Sequence, residues 1–310
     1  MTAVPLSRVD LTTMLADILF TSPVMVASGC GGTGRELSHF CDLAGLGAFV
    51  TASVTRDGGA GAPLPRTVET PSGLLSAVGF PGNGIDAFLA TELPWLLRRD
   101  ARPIVSVAGS TLGEYAELAR RVGNTPGIAG IEVNLSGTGY ARDPVQASRA
   151  VGVVRRDTAA GVPVFAKLWP GVAALADMAA SVLQAGADAV VLPGSLPGLA
   201  LDPVTLRPRL GGVIGELCGP ALRSVGLYAV WEVHRALPDA CVIGVGGIRS
   251  GADALDYLAA GADAVQVGSA IYSDPSTPVR VVDELRHELA SHGFETPRQA
   301  RGVAHTPFPP

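Results

Sequence analysis

Histidine is scarce in this sequence: five in 310 residues, at His39, His234, His287, His292 and His305. None stands at the end of an apolar strand-like run and no two have metal-ligand company, so a metal centre is not expected. His39 alone follows an apolar run closely and is a weak site candidate. Cysteine is scarcer still, at positions 30, 41, 218 and 241 without a CxxC spacing, which points to reduced thiols and no disulfide framework. The GxSxG and P-loop patterns of serine hydrolases and nucleotide hydrolases are absent. Charge is thin, at 16% of residues, and its balance of 23 basic to 28 acidic is spread along the chain, which excludes the basic patch that nucleic acid requires. No apolar run is long enough to cross a membrane; the one near the start, Met14 to Phe20, is broken by Asp17 and preceded only by Arg8 as a basic residue. A soluble, cytoplasmic protein working on a small molecule is the expectation.

What the sequence has is hydrophobic residues, 47% of the total, in two alternating patterns. Short β-branched runs lie at 24–28, 48–52, 104–108, 130–135, 163–168, 188–192, 241–245 and 263–268. Between them, segments such as 113–122, 143–157, 176–187, 251–262 and 278–293 place apolar residues three and four apart, as amphipathic helices do. Regular alternation of strand and helix means parallel strands with helices outside. "QAGADAVVL" and "AAGADAVQVG" are near-copies of one helix-to-strand unit, an internal echo that favours an eight-stranded (β/α)8 barrel over an open doubly wound sheet. A single domain over 1–310 is expected, with an N-terminal cap segment at about 1–22 and an insertion at about 56–100 folded over the barrel mouth.

In such a barrel the site lies where the strands end, and the polar and glycine-rich stretches collect there. "GVGGIRSG" (244–251) and "VGSA" (267–270) read together as a phosphate cradle, with backbone N–H groups approaching an anion and a helix beginning near Ser250 adding the positive end of its dipole; the competing reading is a pair of tight turns. Lys167 closes an otherwise buried strand, so its ammonium must be paired or face a polar cavity, where it could stabilise charge developing on an electron-accepting ring. Asn134 opens "NLSGTGY", a site-like stretch with no strong acid, base or metal ligand.

These stretches, from "SPVMVASGCGGTGRE" through "LPRTVETPSGLLSAVG" and "GIEVNLS" to "GVGGIRSGADALDYLAAGADAVQVGSA", resemble the class 1 dihydroorotate dehydrogenases, FMN-dependent (β/α)8 barrels, along nearly the whole chain. The resemblance implies that Ala27, Ser28 and Gly29 flank a flavin ring and that Ser53, Asn134 and Lys167 meet it at its polar side. It implies that Gly219, Gly246, Gly247, Gly268 and Ser269 hold the ribityl phosphate. On the substrate side the chain departs from the family. Gly137 stands where the family has its catalytic cysteine, Gly139 and Ser76 where it has asparagines, Ala52 where it has a lysine, and Gly194 in place of another asparagine beside a retained Ser195. The lid after Gly139 is also shorter.

Losing a base, a cation and several amides reads as altered specificity. The expectation is therefore a repurposed flavoenzyme of ene-reductase type, moving hydride to or from a carbon–carbon double bond of a non-orotate substrate in specialised metabolism. Ser76, Gly79, Phe80, Gly137 and Ser195 would line the substrate, and Tyr140, Thr138 or Ser136 would handle the proton; for Tyr140, packing of the lid is the competing reading. Two alternatives stand beside it: a genuine dihydroorotate dehydrogenase of pyrimidine biosynthesis with a replacement base, and a non-catalytic flavin-binding subunit. The resemblance further implies a homodimer and leaves open an electron-transfer subunit as redox partner.

Overall fold

The computed structural model describes residues 3–136, 138–169, 171, 174–192 and 195–306. Eight parallel strands close into a barrel: Val24–Val26, Ala48–Val50, Pro103–Val107, Gly130–Asn134, Val164–Lys167, Ala189–Leu192, Val242–Val245 and Ala264–Val267. Each pairs with its predecessor in the chain, and Ala264–Val267 closes the ring against Val24–Val26. Seven fall within runs singled out from the sequence and the eighth, Pro103–Val107, starts one residue ahead of its run; closure removes the open sheet that was the alternative.

The strands alternate strictly. Val24, Val26, Phe49, Val105, Val107, Ile131, Val133, Val164, Ala166, Val190, Leu192, Val242, Val265 and Val267 point outward into the layer shared with the helices, so both faces of each strand are buried and the runs read as continuous hydrophobics. Inward-pointing residues divide by height. Low in the barrel, Met25, Ala48, Ile104, Phe165, Ala189, Ile243 and Ala264 form a separate apolar cluster. Gly130 lies against Phe165, whose ring would stand 2.6 Å from a Cβ placed there. Higher up, Ser106, Glu132, Gln266 and Lys167 take the inward positions.

The helices follow the expected segments closely: Leu112–Gly123, Pro144–Asp157, Leu175–Gln184, Gly251–Ala259 and Thr277–Ser291. One helix, Arg223–Ala236, carries no clear sequence signal, because exposed Tyr228 and Trp231 on its outer face blur the period set by buried Gly226, Ala229, Val230 and Val233.

The N-terminal cap segment is more specific than its sequence suggested. Thr13–Leu15 and Ile18–Phe20 form an antiparallel hairpin, and Leu15 and Phe20 join the lower barrel cluster, plugging its N-terminal end. The insertion does cover the other end, but with a partner the sequence reading did not identify. Thr67–Thr70 and Gly73–Ser76 form a four-stranded antiparallel sheet with Leu196–Gly198 and Gly215–Cys218 from a second excursion. The two excursions meet backbone to backbone at Gly73 and Gly219, both at positive φ, where a Cβ on Gly73 would stand 2.0 Å from the Cys218 carbonyl oxygen.

Among the described residues, no helix is long and apolar enough to cross a membrane. Because Phe165 fills the lower barrel with no slack, Phe165→Ala should cost about 3–5 kcal/mol. Chemical denaturation should show a lower midpoint at unchanged slope.

Candidate functional site

The C-terminal mouth of the barrel and the sheet above it enclose a cavity of about 1800 Å³. That exceeds the volume typical of one small ligand and leaves room for a cofactor with a second molecule beside it. Ala27, Ser28, Gly29, Ser53, Asn134, Lys167, Gly219, Gly246, Gly247, Gly268 and Ser269, the positions assigned to the cofactor, all line it. So do Ser76, Gly79, Phe80 and Ser195 from the substrate set, together with Ser136 and Thr138. Gly137, Pro193 and Gly194 lie outside the described residues. His39 is exposed in the turn Leu37–His39 and does not reach the cavity.

The cavity floor is polar and linked across strands. Glu132, fully buried, accepts from Lys167 Nζ at 3.5 Å and from Gln266 Nε2 at 2.9 Å, while Lys167 Nζ also donates to Gln266 Oε1 at 3.2 Å. Lys167 keeps about a tenth of its side chain exposed (11%), on the cavity side. Beside it, Asn134 Nδ2 donates to Ser53 Oγ at 2.8 Å, and Ser53 shares a 2.9 Å contact with Ser106 Oγ. Asn134 Oδ1 is buried without a protein partner. An orphan acceptor at a cavity wall needs a donor from whatever fills it; the N–H along the polar edge of a flavin is such a donor, and the C=O groups beside it are acceptors for a cation such as Lys167.

The two glycine stretches read as a phosphate cradle both line the cavity. Gly246 and Gly247 hold φ of 125° and 67°, in the region that favours glycine. Tyr257, wholly buried beneath them, donates its hydroxyl to the Gly246 carbonyl at 2.7 Å, and burial pushes its own ionisation well above the ordinary range. The helix starting after Ser250 does not offer its N-terminus, contrary to expectation. Ser250 and Asp253 form a reciprocal cap, Asp253 accepts from the Arg249 and Ser250 N–H groups, and Glu284 accepts from Gly251 N–H. The turn Ser269–Tyr272 stands nearer the cavity: its opening N–H groups have no intrahelical acceptor, and Gly268 before it lines the cavity, where a Cβ would meet Cys30 Sγ at 3.6 Å and Ala27 Cβ at 3.7 Å. The residues present therefore suit a flavin with a phosphate tail.

The three proton-handling candidates separate. Tyr140 packs edge-on against Tyr115 at 5.6 Å, in the layer behind the barrel, and is absent from the cavity wall, so its packing role is the one realised. Thr138 donates its hydroxyl to the Leu135 carbonyl at 2.6 Å and is spent on the turn. Ser136 lines the cavity with a buried hydroxyl that has no partner.

Four groups that the sequence reading left unassigned also face the cavity. Cys30 and Cys218 do, but burial raises both thiols, Cys218 to about 12, so neither supplies a thiolate at neutral pH. Arg142, just past the shortened lid, lies 5.0 Å over the Trp169 ring and has no carboxylate partner among the described residues. Glu216, opposite Ser76 in the sheet register, accepts from Ser195 Oγ at 2.6 Å. Register identifies it: Ser76, Glu216 and Cys218 share the cavity face, while Val68, Leu75 and Leu217 cluster on the other. That pairing joins residues 140 positions apart, so no local sequence signal announces it.

A Cβ on Gly247 would stand 2.7 Å from Arg223 Cβ and 3.0 Å from its backbone, at a φ of +67°. Gly247→Ala should therefore weaken FMN retention by about tenfold or more, read by fluorescence of released flavin. Gly45→Ala, with nothing within 4 Å of the added atom, should not change it.

The dihydroorotate dehydrogenase family model matches residues 10–289. The chain is 40% identical over 305 residues to the dihydroorotate dehydrogenase B (NAD(+)) catalytic subunit of Geotalea daltonii, covering 96% of this chain and 99% of that protein. It is 42% identical over 291 residues to the protein of the same name from Pelobacter propionicus, covering 92% and 95%. The counterpart in Desulforudis audaxviator is 40% identical over 305 residues, covering 96% and 98%. These matches overturn the expectation of an ene-reductase repurposed for a non-orotate substrate in specialised metabolism. The expectation rested on single residues, whereas the likeness to proteins named for dihydroorotate spans nearly the length of the chain. Matched across its barrel, its cradle and its covering sheet, the chain belongs to the dihydroorotate dehydrogenase family and is an FMN-dependent oxidoreductase acting on CH–CH groups.

Proposed function

We propose that this chain is the catalytic subunit of a dihydroorotate dehydrogenase of the B type, oxidising dihydroorotate to orotate in pyrimidine biosynthesis. The observation that carries the reading is the near-complete coverage, at about 40% identity, by proteins bearing that name; the cavity with its polar floor and glycine cradle supports it. Bound FMN supplies the hydride acceptor. The chain's own residues then have three tasks: to hold the ring, to hold the substrate carboxylate, and to take the proton from the carbon next to the one losing hydride.

Arg142 takes the second task. With Ala52 unable to supply a cation and Lys167 engaged by Glu132, Arg142 is the cation on the substrate side of the cavity, held by Trp169 and unpaired among the described residues. Its planar donors match a carboxylate. Ser136 takes the third. Ser136 lines the cavity, and its buried hydroxyl is the one in this loop with its hydrogen-bonding capacity unspent. The departure from a cysteine base leaves a weaker base and a slower proton transfer. The name borne by the relatives further implies an electron-transfer partner that returns the electrons to NAD(+), and a homodimer is the assembly in keeping with the resemblance.

Anaerobic mixing of the FMN-loaded protein with dihydroorotate tests the reading: the flavin absorbance should bleach, faster as pH rises. A flavin that stays oxidised with dihydroorotate yet bleaches with dithionite would sink the proposal and leave a non-catalytic flavin subunit. Ser136→Ala should slow bleaching by roughly 10²- to 10⁴-fold. Arg142→Met should raise KM for dihydroorotate roughly 10- to 100-fold with little change in kcat, the loss of a charge-assisted contact.

A further inference from the structure

We propose that Glu132 is a positioning residue that acts through Lys167 to set the redox potential of the bound flavin. Glu132 is fully buried inside the barrel, two residues before Asn134 on the same inward-facing side of the strand. Among the described residues, Lys167 is its only cationic partner, at 3.5 Å. Gln266 ties the two together, donating from Nε2 to Glu132 and accepting at Oε1 from Lys167. Neither the hydride acceptor nor the substrate requires a carboxylate at this depth, and the lower barrel shows that apolar side chains fill such inward positions readily.

The arrangement has an electrostatic consequence. An ammonium has three N–H donors; Glu132 and Gln266 take two, leaving one for the cavity. A flavin gains negative charge at its polar edge when it accepts electrons, and a bare cation there would stabilise that charge strongly in a low-dielectric site. The carboxylate behind Lys167 cancels part of that field. It holds the ammonium in place and, by the same contact, keeps the flavin from becoming too strong an oxidant to pass its electrons onward. Removing the charge while keeping the shape should make the flavin a better electron acceptor.

The inference rests on the flavin alone and not on dihydroorotate, so its test uses neither substrate nor partner. Sulfite donates its sulfur lone pair to an oxidised flavin, forming a bond to the ring and placing the negative charge at its polar edge, so sulfite affinity follows the potential. In the FMN-loaded protein, Glu132→Gln should tighten sulfite binding by about tenfold or more, with a matching rise in midpoint potential. Glu132→Ala should shift both in the same direction. Glu132→Asp, which keeps the charge, should stay within about threefold of wild type, a rescue that a purely space-filling role would not produce. Unchanged or weaker sulfite binding in both charge-removing variants would overturn the proposal. So would loss of FMN from both with retention in Glu132→Asp, since a less compensated cation should hold the flavin's polar edge more tightly. A flavin that responds to Glu132 as expected yet ignores dihydroorotate would leave this inference standing while ending the proposed reaction.

Discussion

A carboxylate sealed inside a closed barrel is the constraint around which the upper half of this structure is organised. Glu132 has no exposed surface, and an ion in that position is tolerable only if it is paired and its remaining lone pairs are satisfied. Lys167 and Gln266 supply both, and they come from two other strands. The network therefore fixes the relative heights of three strands at the level where the apolar filling stops. Below it, Phe165, Met25, Ile104 and the plugging hairpin make a dry core; level with Glu132, Ser106 contacts Ser53, and Asn134 carries the polar layer up to the cavity.

The same division of labour extends to the cavity walls. The cofactor side is built from backbone, with Gly246 and Gly247 in conformations that side chains resist and Tyr257 holding the Gly246 carbonyl from beneath. Other parts of the wall are built from side chains on loops and on the covering sheet: Ser136, Arg142, Ser195, Glu216. Backbone cradles tolerate little change in sequence, whereas loop side chains exchange without disturbing the barrel. That asymmetry accords with a family likeness that runs over residues 10–289. The expectation of a new specificity, drawn from single residues, is overturned by a likeness to proteins named for dihydroorotate that covers nearly the whole chain.

Much of this was legible in the linear sequence. The eight strands are continuous hydrophobic runs because each is buried on both faces, and the echo of "QAGADAVVL" in "AAGADAVQVG" carried the repeat that closes the barrel. The cavity-lining glycines were legible for a related reason: glycines at strand ends mark the barrel mouth, and Gly29, Gly219, Gly246, Gly247 and Gly268 all line the cavity. By contrast the helix Arg223–Ala236 escaped notice, since aromatic residues on its exposed face hide the period of its buried one.

What the sequence by itself determined is the barrel, the cradle and the presence of a cation at the end of the strand Val164–Lys167, each encoded by residues close together in the chain. Tertiary structure decided the rest, because it depends on pairings between distant segments. The capped start of the helix Gly251–Ala259 could not be judged as an anion site until Glu284, from the next helix, was seen accepting from Gly251. Tyr140 and Ser136 are equally polar as letters, and only packing sends one behind the barrel against Tyr115 and the other into the cavity. The Glu132–Lys167–Gln266 network spans 134 residues between Glu132 and Gln266. No local pattern reveals it, because what joins the three is not their neighbours in the chain but the shared cost of burying charge inside one closed sheet.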